Sequence, residues 1–194
     1  MASLVLAGDT SGSITVAAPA VAGSNTQTLV AATDTLAPVI RGTTQTAPFA
    51  VATYAEFTGI PSWVKRITVM LSGVSTNSTS GFLLQLGTSS GIENTGYISG
   101  TSIAGNGSTG SLITSTAGFV MLSGTAAAST NSGAVTVSTL GSNIWVASGT
   151  MYYSGSGTAM TAGTKTTAAT LDRVRITTIS GDTFDAGSIN ILYE

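Results

Sequence analysis

Ser188-Ile-Asn-Ile-Leu-Tyr-Glu194 alternates polar and apolar side chains up to the last residue of the chain. Alternation of period two marks a half-buried β-strand, and a terminal segment stays ordered only when it is tied into a larger sheet. The same texture recurs upstream in Arg66-Ile-Thr-Val-Met-Leu71, Val135-Thr-Val137, Ile144-Trp-Val146 and Val174-Arg-Ile176, each set between long Ser/Thr/Gly/Asn connections. No helical period is sustained anywhere. The sequence therefore predicts an all-β protein whose strands are carried by Thr, Val and Ile.

Outward from these stretches, candidate strands fall near residues 50–58, 64–74, 81–87, 94–99, 112–123, 133–139, 143–153, 165–169, 171–179 and 184–193. Turn clusters such as Ser75-Thr-Asn-Ser-Thr-Ser-Gly81, Gly105-Asn-Gly107 and Ser180-Gly-Asp182 separate them. That many antiparallel strands suit a β-sandwich or jelly roll, and exceed an immunoglobulin-type module of about 100 residues. The aromatic residues begin at Phe49, and none precedes it. Large aromatic side chains dominate core burial. Residues 1–48, with Pro19, Pro38 and Pro48 and only brief alternation at Ser13-Ile-Thr-Val16 and Gln27-Thr-Leu-Val30, are therefore expected to form an extended N-terminal arm docked on another surface. Residues 49–194 are expected to form the β-domain.

Composition narrows the function. Charged residues make up 7% of the chain, against roughly 25% in ordinary soluble domains. Ser, Thr, Gly and Ala exceed half of it, so hydroxyls dress the surface where charges usually would. The six basic residues are scattered in sequence, whereas nucleic-acid binding needs many phosphate contacts from one face; no nucleic-acid partner is expected. No apolar run approaches the ~18 residues of a membrane helix, so no membrane insertion is expected. Cysteine is absent, which leaves packing or oligomerisation as the source of durability. Met1-Ala-Ser-Leu-Val-Leu-Ala7 lacks a basic n-region and a long apolar run, which predicts synthesis in a cytoplasm without a cleaved leader.

The candidate chemistry is thin. Histidine is absent, which removes imidazole acid/base catalysis and any Ser-His-Asp triad. Ser62 lies near Lys65, but serine is so abundant that such proximity arises by chance, and an activated nucleophile also needs an oriented base; Lys65 reads as a solvated residue at a strand entrance. Asp182 and Asp185 flank Thr183-Phe184, with Asp172 as a further carboxylate. A Ca²⁺ site needs six or more oxygens, and aspartate also favours turns through local hydrogen bonds. Glu56 and Glu93 are too isolated in sequence to be assigned as a glycosidase pair. Trp63, Trp145 and Tyr152-Tyr153 suit either a sugar-stacking platform or core packing. Trp145, alternating with its strand neighbours, reads as core, while Tyr152 and Tyr153 point to opposite faces, which leaves one exposed or at a subunit interface. Gly105-Asn-Gly107 has no following helix or Lys, so it is no phosphate loop. No residue is assigned a catalytic, cofactor-binding or metal-ligating role.

The block Phe57-Thr-Gly-Ile-Pro-Ser-Trp-Val-Lys-Arg-Ile-Thr-Val-Met-Leu-Ser-Gly-Val-Ser-Thr76, with Leu84-Gln-Leu-Gly87, Leu171-Asp-Arg-Val-Arg-Ile-Thr-Thr178 and Phe184-Asp-Ala-Gly-Ser-Ile-Asn-Ile-Leu-Tyr-Glu194, resembles a β-domain common in virion proteins of tailed bacteriophages. Gly12-Ser-Ile-Thr-Val-Ala-Ala-Pro-Ala-Val-Ala-Gly-Ser-Asn-Thr-Gln-Thr-Leu29 is similar to linkers near the start of phage fibre proteins. The resemblance implies a homotrimeric, jelly-roll-like domain on the virion and brings no catalytic residues. Two roles follow as expectations. One is a capsid decoration or cement protein, attached by its arm to the major capsid protein or another virion protein. The other is a tail- or head-fibre module that binds a host surface glycan. A chain with neither shaft repeats nor coiled coil favours the first, and a glycan hydrolase is disfavoured by the missing His and few carboxylates.

Overall fold

Phe57 on one sheet and Val69 on the other meet in a shared core, and this meeting of two apolar faces defines the architecture. The computed structural model describes residues 3–7, 13–17, 38–105, 112–127, 129–155 and 157–194, the first two segments as backbone only. All of its regular structure is antiparallel β, as the alternation predicts. Strands β1 (Ser3–Ala7) and β2 (Ser13–Ala17) pair as a two-stranded sheet within a separate unit. The sandwich is built from β3 (Ile40–Arg41), β4 (Gln45–Thr46), β5 (Tyr54–Thr58), β6 (Arg66–Thr76), β7 (Ser80–Thr88), β8 (Gly91–Ile92), β9 (Tyr97–Ala104), β10 (Leu112–Ser115), β11 (Phe119–Gly124), β12 (Asn131–Gly141), β13 (Ile144–Tyr153), β14 (Gly157–Thr166), β15 (Leu171–Thr178) and β16 (Phe184–Tyr193).

A nine-stranded sheet runs β10-β9-β14-β13-β12-β6-β16-β3, with β4 also on β16, and a five-stranded sheet runs β11-β7-β15-β5, with β8 on β7. The chain crosses repeatedly between them: β5 lies in the small sheet, β6 in the large, β7 back in the small. Such crossings give the sandwich its jelly-roll character. Inward positions follow the sequence alternation. Ile67, Val69 and Leu71, Val135 and Val137, Trp145 and Ala147, and Ile189 and Ile191 from the large sheet pack on Phe57, Phe82, Leu84, Leu86, Val174 and Ile176 from the small one. Each such side chain contributes about 1.5–3 kcal/mol when fully buried. Phe184 stacks between Phe49 at 5.1 Å and Phe82 at 5.5 Å, while Tyr97 meets Phe119 edge-on at 5.0 Å.

The C-terminal strand is an interior strand. Ile189 pairs with Leu71 of β6 on one side and Gln45 of β4 on the other. Residues 40–46, expected to belong to the arm of residues 1–48, thus already form part of the large sheet, and the compact unit that carries it begins at residue 37. The reason is local. Gly42 donates its N–H to Ile191 O at 2.8 Å and has no side chain to collide with Ile191 Cγ1, which an added Cβ would approach to 2.9 Å. Short strands without aromatic residues can therefore lie flat on β16. Of the expected arm, residues 18–37 lie outside the described residues, as do the ends of the 1–17 segment and its turn.

The expected strand 112–123 is broken at residues 116–118, where the chain passes from β10 in the large sheet to β11 in the small. β11 is then held from both sides. β7 supplies its ladder, while Ser99 Oγ accepts Val120 N–H at 2.9 Å and Thr161 Oγ1 donates to Val120 O at 2.7 Å. These hydroxyls come from the inner face of the large sheet and satisfy backbone groups that would otherwise be buried unpaired.

Candidate functional site

The large sheet has one face in the core and one toward solvent, and the outward face has an unusual chemistry. Residues directly opposite across antiparallel strands share a face. One outward row reads Leu112, Ser102, Met160, Thr150, Ala134, Met70 and Asn190, from β10 to β16. The next reads Thr114, Gly100, Ala162, Ser148, Thr136, Thr68 and Leu192. A third carries Ile98, Thr164, Val146 and Ser138 and ends at Arg66. From β10 to β12 no described outward position in these rows carries a carboxylate, ammonium or guanidinium group; Arg66 and Arg41 stand only at the β6 and β3 side.

Exposure follows the same alternation, with Ile98 at 74%, Leu112 at 69% and Met160 at 54%. The seven strands from β10 across to β16, 4 to 11 residues long and about 4.8 Å apart, make a face large enough for one partner's share, ~800 Å², of a standard protein interface. At its β6–β16 end lies an apolar groove of about 430 Å³ lined by Met70, Leu192, Ser72, Ser188, Asn190, Thr44 and Arg41, with Leu71 and Ile189 beneath.

The charges missing from this face are concentrated elsewhere. On the outer face of the small sheet, Glu56 accepts Arg175 Nε at 2.7 Å and lies 3.6 Å from Arg173, which also pairs with Asp172 at 2.8 Å. Arg175 stacks over the Tyr54 ring at 4.0 Å. Two cations and two carboxylates compensate one another, so the cluster clips β5 to β15 instead of offering a charged ligand site. At one end of the sandwich, Lys165, only 7% exposed, reaches Glu93 at 2.6 Å and lies over the Tyr97 ring at 5.3 Å. Glu93 also accepts Ala168 N–H at 2.8 Å. Glu56 and Glu93 are thus each taken up by a cation on different sheets, and the structure does not bring them together as a pair.

Asp182 Oδ2 accepts Ser80 N–H at 3.0 Å, and Asp185 is bonded by the Ser75 hydroxyl. Each carboxylate serves a local contact, Asp172 lies on β15 with Arg173, and among the described residues no cluster of three metal-ligating side chains occurs. Ser62 and Lys65 share the rim of a cavity of about 210 Å³ with Asn143, Ser142, Thr139 and Trp145. Trp145 is core as expected, 5% exposed, and its indole N–H has no hydrogen-bond partner among the described residues. Tyr152 is 56% exposed and Tyr153 packs against the core, so the pair divides between faces as the alternation predicts. Trp63 is half-buried against Tyr193, at 6.1 Å between rings. Asn106 and Gly107 of the Gly105-Asn-Gly107 turn lie outside the described residues.

The outward face itself is not marked by any motif. Its signal in the sequence is the pairing of alternation with a near-absence of charge, as in Thr158-Ala-Met-Thr-Ala162. Comparison with protein-family models, with curated proteins and with solved structures returns no match.

Proposed function

We propose that this chain is a structural protein of a tailed-bacteriophage virion, a homotrimeric decoration or cement protein that binds the head shell and stabilises it without catalysis. The observation that carries the reading is the outward face of the large sheet, which from β10 to β12 carries no charged side chain in its described rows. A monomer at home in water gains nothing from so wide a surface of hydroxyl, methyl and thioether groups, whereas a face that mates with protein avoids the cost of stripping water from charges. The resemblance of the Phe57–Thr76 and Phe184–Glu194 blocks to virion β-domains supports the same setting, and residues 1–36 are the segment available to attach the trimer to the major capsid protein. The protein is made in the host cytoplasm and resides on the virion surface.

A cement protein acts by mass action. It binds the assembled lattice and not its dissociated subunits, and raises heat resistance by RT ln(1 + [L]/Kd) per site. Heads with and without the protein are therefore compared in thermal melts at low and high salt. The decorated heads melt higher, by an increment little changed by salt, because screening acts only on electrostatic terms. Identical melting of the two would overturn the reading.

A second reading, a fibre module for a host glycan, is favoured by the polar cavity beside Trp145. Ser62, Ser142, Asn143 and Lys65 surround a volume of monosaccharide size. Adsorption of particles to cells that depends on the protein, with the protein absent from the head, would select it.

A further inference from the structure

We infer that the cavity beside Trp145 is a binding site for a single carboxylated sugar unit, with the Lys65 ammonium and the Trp145 indole N–H as the groups that select it. The inference deepens the glycan reading given above by naming the ligand class, and it holds whether the chain sits on the head or on the tail. Three separate parts of the chain meet there: the Pro61–Lys65 turn, the tip of the β12–β13 hairpin, and Thr170-Leu171 at the start of β15. Backbone bonds fix the rim in advance. Val64 N–H donates to Pro61 O at 3.1 Å, Thr139 N–H to Lys65 O at 2.9 Å and Ile60 N–H to Asp172 O at 2.8 Å. A site held in this way loses little ordering entropy when a ligand enters.

The donors of the lining are not used up within the chain. Trp145 is 5% exposed, and its indole N–H has no hydrogen-bond partner among the described residues. That nitrogen can only donate, and a buried donor without an acceptor costs about 1–3 kcal/mol. A ligand oxygen entering the cavity that Trp145 lines would offset this cost. Lys65 makes no ion pair among the described residues, and the carboxylates around it are engaged, Glu194 with Arg66 and Asp172 with Arg173 at 2.8 Å. No Asp or Glu lines the cavity. A donor-rich lining with one uncompensated cation fits a carboxylate and rejects a cationic ligand. Ser62, Ser142 and Asn143 add hydroxyl and carboxamide groups suited to ring hydroxyls, while the buried Val64 and Leu171 supply an apolar wall. The volume of about 210 Å³ lies below the ~300 Å³ at which drug-sized pockets begin, so it takes one ring and not a chain.

The chain has two tryptophans, which makes the readout simple. Trp63→Phe assigns the indole N–H resonance of Trp145 in a ¹⁵N-labelled sample, and the titrations use the full-length wild-type protein. D-Glucuronate is the probe, with D-glucose and acetate presenting the ring and the carboxylate alone. Glucuronate is expected to move the Trp145 signal saturably, and glucose and acetate each to bind about tenfold more weakly or less. Lys65→Met is expected to weaken glucuronate about tenfold and leave glucose unchanged, a split that a merely structural role would not produce. Asn143→Gly keeps a residue that accepts the φ of 61° at that turn position, and is expected to weaken both sugars.

No saturable shift with glucuronate, the outcome if a trapped water alone satisfies the indole N–H, would overturn the inference. Equal binding of glucose, or of acetate, would overturn the ligand class. Glucuronate bound as tightly by Lys65→Met as by the wild type would overturn the role of Lys65. The glycan reading fails separately: particles that adsorb equally with and without the protein would remove its role in adsorption, while glucuronate binding would leave the site standing. Adsorption that depends on the protein, without glucuronate binding, would place the glycan elsewhere on the chain and overturn the site alone.

Discussion

Leu112 and Met70 stand in one cross-strand row of the large sheet, five strands apart, with Ser102, Met160, Thr150 and Ala134 between them. Within one chain they can never touch. Their common row arises because every pairing from β10 to β6 is antiparallel and keeps the side-chain period in phase. A slip of one residue at any strand would have buried Met160 or Thr150 and turned Ala159 or Met151 outward. Inner-face burial of Met151 and Ala159, both without exposure, holds that register.

The Lys165–Glu93 pair is expected to matter more than a surface ion pair. Lys165→Ala leaves Glu93 without its cation at a site 19% exposed, and breaking a buried pair costs about 3 kcal/mol. Replacing both, as Lys165→Met with Glu93→Gln, is expected to cost less than Lys165→Ala alone. Urea denaturation of the three proteins checks the order. A loss below about 0.5 kcal/mol for Lys165→Ala would class the pair with exposed ones.

Tyr97 joins the two sheets, its phenolic oxygen accepting Leu86 N–H at 2.6 Å and its hydroxyl donating to Glu93 O at 2.9 Å. Tyr97→Phe orphans the buried Leu86 N–H and is expected to cost about 1–3 kcal/mol. Burial also pushes the Tyr97 phenol well above the usual tyrosine range. The folded state then holds a proton that the unfolded chain releases near pH 10, so stability is complete below about pH 10 and drains away above it. Tyr97→Phe should flatten that alkaline decline. Equal pH slopes in the two proteins between about pH 10 and 11 would contradict the assignment.

Two glycines separate close approach from backbone freedom. A Cβ on Gly81 would lie 2.1 Å from Leu122 O, in the backbone of β11, so Gly81→Ala must push the strands apart, at about 3 kcal/mol. Gly181 has φ +80° and open space around it, so Gly181→Ala meets only the left-handed penalty of about 1 kcal/mol. Thermal melts of the two variants should rank them in that order. The reverse order would mean that β11 can move freely.

Truncation at two points tests where the β-domain begins. Removing residues 1–36 should leave the unfolding midpoint unchanged while abolishing attachment to heads. Removing residues 1–47 also takes β3 and β4, with the Gly42 N–H to Ile191 O bond at 2.8 Å and the Gln45 bond to Glu56 O at 2.6 Å. Two or more lost hydrogen bonds and the uncovered β16 edge should cost about 2 kcal/mol. Equal midpoints for the two truncations would return residues 38–47 to the arm.

Strands with β-branched or aromatic residues were legible because burial and alternation coincide in them. Phe184–Tyr193 and Leu171–Thr178 match the residues expected from the pattern almost end to end. β14 was legible only from residue 165. Its earlier part, Gly157-Thr-Ala-Met-Thr-Ala-Gly163, is diluted by Gly and Ala, which have weak strand propensity, and its inward residues Ala159, Thr161 and Gly163 are small where β11 lies over them: Thr161 donates to Val120 O, and a Cβ on Gly163 would sit 3.0 Å from Phe119 Cδ1. Propensity reads the residue alone, whereas β14 is held by ladders to β13 and β9. The uncharged outward face was half legible. The composition showed a surface of hydroxyls poor in charge, but the position of its uncharged part needed the registers of seven strands. The Glu56–Arg175 and Glu93–Lys165 pairs were not legible, since folding alone brings such distant residues together.

The central claim, that this chain is a trimeric decoration of a phage head, is tested most directly by a cryo-electron microscopy map of the intact particle that carries it. The account predicts three-fold density on the head shell, into which three copies of the sandwich fit. Density for the chain at the tail tip alone, with a bare head, would contradict it.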